Sequence, residues 1–463
     1  MRIAIVGGGY VGLVSGACLA EHNHDVIIVE SDPDKVKQIN QGVCPIHEAG
    51  LEQILANNIG KRLHATNDIK EAVTVSDATF IAVGTPFDGN EIDLSQIRQA
   101  AAEIGDALKT HSKYHLVVVK STVVPGTTDN TVTTLLQQHS GKALGDGFGV
   151  GMNPEFLKEG TAVADFMSPD RIVLGGNDKK AQDILANIYA SFATVDKVRV
   201  NNTTAELIKY ASNSLLATLI SFTNEIGNLC TQLEDTDITS VMQGVCLDQR
   251  LSPIDKQGNR TVPGIVSYLA AGCGFGGSCF PKDVNALRAF ADQQGVGSDM
   301  LSSVIDVNNN QPAEFIDLLQ QRITDLEGKT IAVLGLAFKP ETDDTRESPA
   351  IKVIQQLEAA GANVITYDPI VKTLPPELDS SSAAIADSMD NAVKACDAVM
   401  LITAWDEFKS LSQSLAKSGK QPWVLDGRRI LNPADFKHYA GIGLGPISSS
   451  DSDNTGGDVA SAA

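Results

Sequence analysis

The chain has 463 residues, 43% of them hydrophobic, with 40 glycines and a formal net charge of −21. A length of this order predicts two or three domains, each with a sizeable core. The acidic balance, with no Lys/Arg block anywhere, argues against nucleic acid or an anionic membrane as a partner, and no apolar run is long enough to span a bilayer. The cysteines at 18, 44, 230, 246, 273, 279 and 396 are odd in number and show no CxxC or Cys/His spacing. Neither a disulfide framework nor a zinc or other metal site is expected. The first strand begins at Arg2, which leaves no room for a secretory leader, and a reducing cytoplasm is the expected compartment.

Ile3-Ala4-Ile5-Val6 predicts a buried strand that leads into Gly7-Gly8-Gly9-Tyr10-Val11-Gly12 and then a small-residue helix. Gly7, Gly9 and Gly12 match the dinucleotide fingerprint: they allow a tight turn and close approach of a pyrophosphate to the helix N-terminus. The next strand, Val26 to Val29, ends on Glu30. A carboxylate there can accept hydrogen bonds from both ribose hydroxyls and repels a 2′-phosphate, so NAD is expected rather than NADP. Thr122 follows the apolar run Leu116–Val119, and Glu155 and Glu159 follow the strand-like Phe148–Met152. Both positions lie after strands, where doubly wound sheets hold ligands. Loop carboxylates are commonly just solvated, so neither stands out unaided.

From Thr203 to about Glu234, apolar residues at 207, 211, 215, 219, 222, 226, 229 and 233 predict one long helix, suited to a domain or subunit interface. Lys209 and Asn213, four apart, share a face of it and could donate to an oxyanion; a solvated lysine and an interfacial asparagine are the plainer reading. The segment from about 240 to 315 reads as helical. Within it, Cys279 directly precedes a helix start marked by Pro281, with Val284, Leu287 and Phe290 following at helical spacing. A thiolate is favoured at such a place. The alternative is a small buried hydrophobe beside a glycine turn.

The strand pattern then repeats. Ile331 to Gly335 is a strand and turn, Val364 to Asp368 a strand ending on an acid, and Asp397 to Ile402 echoes Asp77 to Val83. The fold class is therefore α/β, with two Rossmann-like doubly wound domains joined by a long helix and a helical middle domain. The second half keeps only Gly335 of the fingerprint, and Phe338-Lys339-Pro340 occupies the loop, so a nucleotide carried by the substrate is the natural ligand there. The expected domains are 1–200, NAD-binding; 201–315, central helix and helical dimerisation domain; 316–440, second Rossmann-like domain; and 441–463, a disordered tail with almost nothing to bury.

Together these motifs resemble the UDP-glucose/GDP-mannose dehydrogenase family over roughly residues 1 to 435. The resemblance rests on Gly-Gly-Gly-Tyr-Val-Gly at 7–12, Val-Gly-Thr-Pro at 83–86, Lys-Ser-Thr-Val at 120–123 and Asn-Pro-Glu-Phe-Leu-Lys-Glu-Gly at 153–160. Ile-Lys-Tyr-Ala-Ser-Asn at 208–213, Gly-Phe-Gly-Gly-Ser-Cys-Phe-Pro-Lys-Asp at 274–283, Phe-Lys-Pro at 338–340, Thr-Asp-Asp-Thr-Arg-Glu-Ser-Pro at 342–349 and Asp-Gly-Arg at 426–428 complete it. It implies NAD-dependent four-electron oxidation of a nucleotide sugar, UDP-glucose to UDP-glucuronate, in a homodimer built through the central helix. GDP-mannose or another nucleotide sugar is the alternative substrate. A two-electron β-hydroxyacid dehydrogenase and a non-catalytic NAD-sensing protein are the rival readings; neither needs Cys279.

The resemblance also implies roles. Cys279 would be the nucleophile, Lys209 and Asn213 oxyanion stabilisers, and Asp283 a partner for Lys209 or for water. Thr122 and Glu155 would hold the hydrolytic water. Gly7, Gly9, Tyr10, Val11, Gly12, Glu30, Lys35, Thr85, Thr122, Lys282 and Arg346 would contact NAD. Glu155, Phe156, Leu157, Lys158, Glu159, Lys209, Asn213, Tyr268, Gly276, Lys339 and Arg428 would contact the substrate. Arg250 would reach the substrate of a second subunit, but the stretch 251–267 is longer than usual and Arg260 competes for that role.

Overall fold

The structure, a computed structural model, describes residues 1–446. The chain divides into two compact units. One is Met1–Asn213 with Asn285–Gly297; the other is Ser214–Val284 with the chain from Ser298 onward. The segment 201–315 is thus shared between them.

In the first unit eight strands form one sheet: β1 (Arg2–Val6), β2 (Asp25–Val29), β3 (Leu63–Thr66), β4 (Ala78–Ile81), β5 (His115–Val119), β6 (Phe148–Met152), β7 (Arg171–Gly176) and β8 (Asp196–Val200). Their order is β3-β2-β1-β4-β5-β6-β7-β8, parallel except where β6 meets β7. Both faces are covered, which explains the unbroken apolar runs. Ile3 and Ile5 join one core with Val26 and Ile28, while Ala4 and Val6 join another with Ile27 and Val29.

The second unit holds six parallel strands: β9 (Thr330–Leu334), β10 (Asn363–Tyr367), β11 (Ala384–Ile385), β12 (Ala398–Leu401), β13 (Trp423–Asp426) and β14 (Tyr439–Gly441). Their order, β11-β10-β9-β12-β13-β14, repeats the first six strands of the other sheet. The predicted echo is a repeat of topology. The long helix runs Asn202–Thr231, within three residues of its expected ends.

Two expectations need correction. The segment read as helical from 240 to 315 contains helices at Ile238–Cys246, Phe280–Gln293 and Asp299–Gln320, but 247–279 is loop with one short 3₁₀ turn, Gly264–Tyr268. Eight of its residues are glycine or proline, and its Asp248 and Asp255 side chains accept nearby backbone N–H groups instead of allowing a helix to propagate. The tail expected from 441 does not begin there. Gly441 pairs in β14, Ile442 is buried, and the Ile238 N–H donates to the Gly443 carbonyl. The remainder of that expected tail, 447–463, lies outside the described residues.

The repeat breaks at the acids that follow β2 and β10. Asp368, after β10, is fully buried. Its carboxylate accepts the N–H groups of Leu336, Ala337, Ile370 and Val371 and the Trp405 indole N–H, all at 2.9–3.1 Å. It thereby ties the turn after β9 to the loops after β10 and β12. Removing it strands buried donors at about 1–3 kcal/mol each. Asp368→Ala should therefore cost roughly 3 kcal/mol or more, and Asp368→Asn less. Both tryptophans, Trp405 and Trp423, lie in this unit, so fluorescence-detected denaturation reads it directly; an unchanged midpoint would count against the account.

Candidate active site

The turn after β1 has the geometry of a dinucleotide cradle. Gly7 adopts φ +108°, and a Cβ there would meet the Ala82 carbonyl oxygen at 2.5 Å. At Gly12 a Cβ would strike the Gly7 carbonyl oxygen, whereas at Gly9 the space is open. The helix that follows, Tyr10–Glu21, has no side-chain cap, so its first N–H groups are available to an anion. Glu30 is half-buried rather than deeply buried. It takes the Gly8 N–H at 3.1 Å on one oxygen and the Asp32 N–H at 3.0 Å on the other. Backbone thus fixes the acid beside the glycine turn. These residues fit NAD. Lys35 is exposed in the helix Pro33–Asn40, and the Thr85 hydroxyl donates to the Thr122 carbonyl at 2.8 Å, tying together the loops after β4 and β5.

Further along the same sheet edge, the first unit buries an ion pair. Lys209 Nζ donates to Glu155 Oε1 at 3.0 Å, and both side chains are more than nine-tenths buried. The Leu157 N–H donates to the other Glu155 oxygen at 2.7 Å. Burial works to raise the Glu155 carboxyl, but the Lys209 charge and hydrogen bond, the Leu157 N–H and the Lys120 charge outweigh it and hold it below the usual carboxylate range. Asn213, one turn beyond Lys209, is also buried. Lys209 is therefore not a solvated lysine.

Phe156 stacks under the Arg171 guanidinium at 4.0 Å, and Lys158 pairs with Asp165. Leu157 and Glu159 sit half-buried on the same loop, and Thr122 is half-buried after β5. The loop is tied to the glycine turn through Glu48, which accepts the Tyr10 hydroxyl and the Gly160 N–H, the latter at 2.7 Å.

In the second unit, Cys279 is half-buried and directly ahead of the helix Phe280–Gln293. Its carbonyl accepts the Asp283 N–H at 2.8 Å, and its sulfur lies 3.6 Å from the Ser278 hydroxyl. Burial pushes the thiols of Cys18, Cys273 and Cys396 up to about 12, which makes them packing residues. The loop before Cys279 is fixed by the second sheet. The Gly277 N–H donates to the Arg346 carbonyl at 2.8 Å, and Arg428 donates to the Gly274 carbonyl at 3.2 Å. A Cβ on Gly276 would meet the Glu347 carbonyl oxygen at 2.3 Å, and one on Gly277 would meet the Phe338 ring. Tyr268 packs against Phe280, with ring centres 6.3 Å apart.

Lys282 pairs with the buried Asp283, Lys339 lies 5.6 Å from the Phe338 ring, and Arg346 makes a two-point pair with Asp344. Arg260 donates to the Leu247 and Ser252 carbonyls and so staples its own loop, while Arg250 is exposed and pairs with Asp248. Sequence reasoning assigned no role to Lys120, a buried lysine at the end of β5. Its signal was a charge closing an otherwise apolar strand.

Residues 1–193 match the NAD binding domain of the UDP-glucose/GDP-mannose dehydrogenase family, residues 203–310 its central domain and residues 332–433 its UDP binding domain. A UDP-glucose 6-dehydrogenase of Haloferax volcanii is 42% identical over 451 residues, covering 96% of this chain and all of that protein. One from Rhizobium meliloti is 40% identical over 457 residues, covering 96% and 99%. Among solved structures, a UDP-glucose dehydrogenase from Pyrobaculum islandicum superposes with a TM-score of 0.86 at 36% identity, covering 96% of this chain and 98% of that one. No helix among the described residues is long and apolar enough to cross a membrane.

The placement of Glu30 predicts cofactor choice. Opposing like charges costs several kcal/mol, so kcat/KM with NADP should lie about a hundred-fold or more below that with NAD. Glu30→Ala should narrow the gap. Comparable values in the unsubstituted protein would remove Glu30 from this role.

Proposed function

Because the chain belongs to the UDP-glucose/GDP-mannose dehydrogenase family, we propose that it oxidises UDP-glucose to UDP-glucuronate in two stages through a covalent intermediate on Cys279. The observation that carries this reading is the placement of one half-buried thiol at a helix start, on a loop pinned by Arg346 and Arg428 of the unit that matches a UDP binding domain. The choice of UDP-glucose over GDP-mannose rests on that domain match and on the names of the relatives.

Gly7, Gly9, Gly12 and Glu30 would hold NAD, with Lys35, Thr85, Lys282 and Arg346 as further contacts. When bound, NAD accepts a hydride from C6 of the sugar at each of the two oxidations. In the first oxidation the C6 hydroxyl proton passes to a base or water relay as the hydride leaves, which gives an aldehyde. The Cys279 sulfur adds to its carbon, forming a C–S bond and a thiohemiacetal, so the reactive carbonyl is not released. The second oxidation converts this to a thioester. Water oriented by Thr122 and Glu155 then adds to the thioester carbon, the C–S bond breaks, and the thiolate leaves with the carboxylate as product. Lys209 and Asn213 stabilise the oxyanion at each tetrahedral stage, and Asp283, which also pairs with Lys282, serves as a partner for Lys209 or for water. Sulfur suits this chemistry because a thiolate leaves far more readily than an alkoxide.

Assembly is part of the proposal. Leu215, Phe222 and Leu229 recur every seven residues on the long helix and are 52–56% exposed. Such an apolar stripe suits burial against a second copy. Arg250, free of the local staple that engages Arg260, is then the arginine suited to reach the substrate of the other subunit, alongside Phe156 to Lys158, Glu159, Tyr268, Gly276, Lys339 and Arg428 as substrate contacts. Light scattering should find a dimer, and Phe222→Asp should dissociate it. A monomer at micromolar concentration would refute the assembly.

Electron count tests the chemistry. Limiting UDP-glucose should yield two NADH per sugar, with no free aldehyde. Cys279→Ala should abolish formation of the acid while NAD still binds. One NADH per sugar with an accumulating carbonyl would make Cys279 structural and the enzyme a simple alcohol dehydrogenase.

A further inference from the structure

Lys120 lies beside the Lys209–Glu155 pair and has no part in the chemistry assigned so far. Its side chain is 4% exposed, and among the described residues its ammonium has one hydrogen-bond partner, Asn153 Oδ1 at 3.0 Å. An ammonium carries three donors, so two of them are unmatched in a buried setting. Asn153 is itself held rigid. Its Nδ2 donates to the Val173 carbonyl at 2.8 Å, its N–H donates to the Val119 carbonyl at 2.9 Å, and its Oδ1 also accepts the Tyr189 hydroxyl at 2.6 Å. The ammonium is thereby fixed at the ends of β5 and β6. There it is close enough to Glu155 and Lys209 to feel both charges.

Arg171 stands over the neighbouring Phe156 ring, and both Lys120 and Lys209 act on the buried Glu155 carboxylate. In the resting structure Lys209 neutralises it, and if Lys209 turned to a developing oxyanion, a solitary buried carboxylate would take up a proton.

We propose that Lys120 is a positioning residue of the reaction described above: its charge keeps Glu155 ionised when Lys209 is drawn to the oxyanion. The inference rests on that reading of Lys209 and Glu155. The groups facing Lys120 are Glu155 from the loop after β6, Lys209 from the long helix and the neutral Tyr189 hydroxyl. Burial, with a smaller contribution from Lys209, pushes the Lys120 ammonium down to about 8, and Glu155 works against that fall. The charged form therefore exists below about pH 8 and is lost as pH rises through that value. A thiol at Cys279 would change activity in the opposite sense, since its reactive form gains population as pH rises.

The test compares unsubstituted enzyme with Lys120→Met and Lys120→Arg. In the unsubstituted enzyme kcat/KM should fall on the alkaline side with an apparent pKa near 8. Arginine stays protonated throughout, so Lys120→Arg should keep activity within a few-fold and lose that alkaline limb. Lys120→Met should lower kcat about ten-fold or more, the equivalent of about 1.4 kcal/mol, with no limb near 8. A ligand-free readout stands beside these: with ¹³Cε-labelled lysine, one resonance should titrate near pH 8 and be missing from both variants. If either variant fails to fold, the other and the unsubstituted protein's titration still decide. NADH production with unchanged rates and pH profiles in folded variants, or no lysine resonance titrating near pH 8, overturns the role of Lys120. Absence of NADH production by the unsubstituted enzyme would overturn the proposed function instead.

Discussion

The Lys209–Glu155 ion pair is the constraint around which the first unit's chemistry is arranged. Taking a carboxylate and an ammonium out of water costs several kcal/mol per ion, and only good geometry with additional hydrogen bonds offsets it. Here the offset comes from the 3.0 Å contact, the Leu157 N–H and the nearby Lys120. Each of these is delivered by a different element: the loop after β6, the long helix and the end of β5. An exposed pair would hold its members loosely and be worth little. A buried one fixes both groups in place, which suits the proposed site, where water would be oriented and negative charge stabilised.

The two sheets show how one topology serves two ligands. Both begin with a strand, a turn through a glycine of positive φ and a second strand followed by an acid, and both place the first strand between the second and the fourth. After β2 the acid stays half-buried at the edge of the turn, and the first helix keeps its N–H groups uncapped. After β10 the acid folds inward and takes the turn's own amides together with an indole N–H. Asp368 thus turns its carboxylate inward as an internal tie, where Glu30 stays at the edge of its turn. The neighbouring Phe338 packs under the glycine loop that leads to Cys279.

Much of this was legible in the chain. The 3.6-residue period marked the long helix to within three residues, because an apolar stripe that long has few other ways to be buried. Glycines marked the cradle because at Gly7 and Gly12 no side chain can be accommodated. Cys279 was marked by Pro281 and the glycines before it. The loop at 247–279 was not legible as a loop, since its apolar residues are spaced closely enough to suggest a helix while its many local Asp and Asn contacts depend on tertiary support. Lys120 also escaped notice as a chemical group: a lysine after a strand reads as solvated until the neighbouring strands bury it.

The sequence alone determined the two α/β repeats, the glycine turn after β1, the acid after β2 and the cysteine at its helix start. These depend on local rules: side-chain period, glycine conformations and the free N–H groups of a first helical turn. Only the tertiary structure decided which charged residues are buried and with whom. Burial of Lys209, Glu155 and Lys120 depends on residues far apart in the chain meeting at one sheet edge, and neither desolvation nor the pairing that offsets it has a local signature. The same holds for Asp368, whose carboxylate became internal because the loops after β9 and β12 close over it.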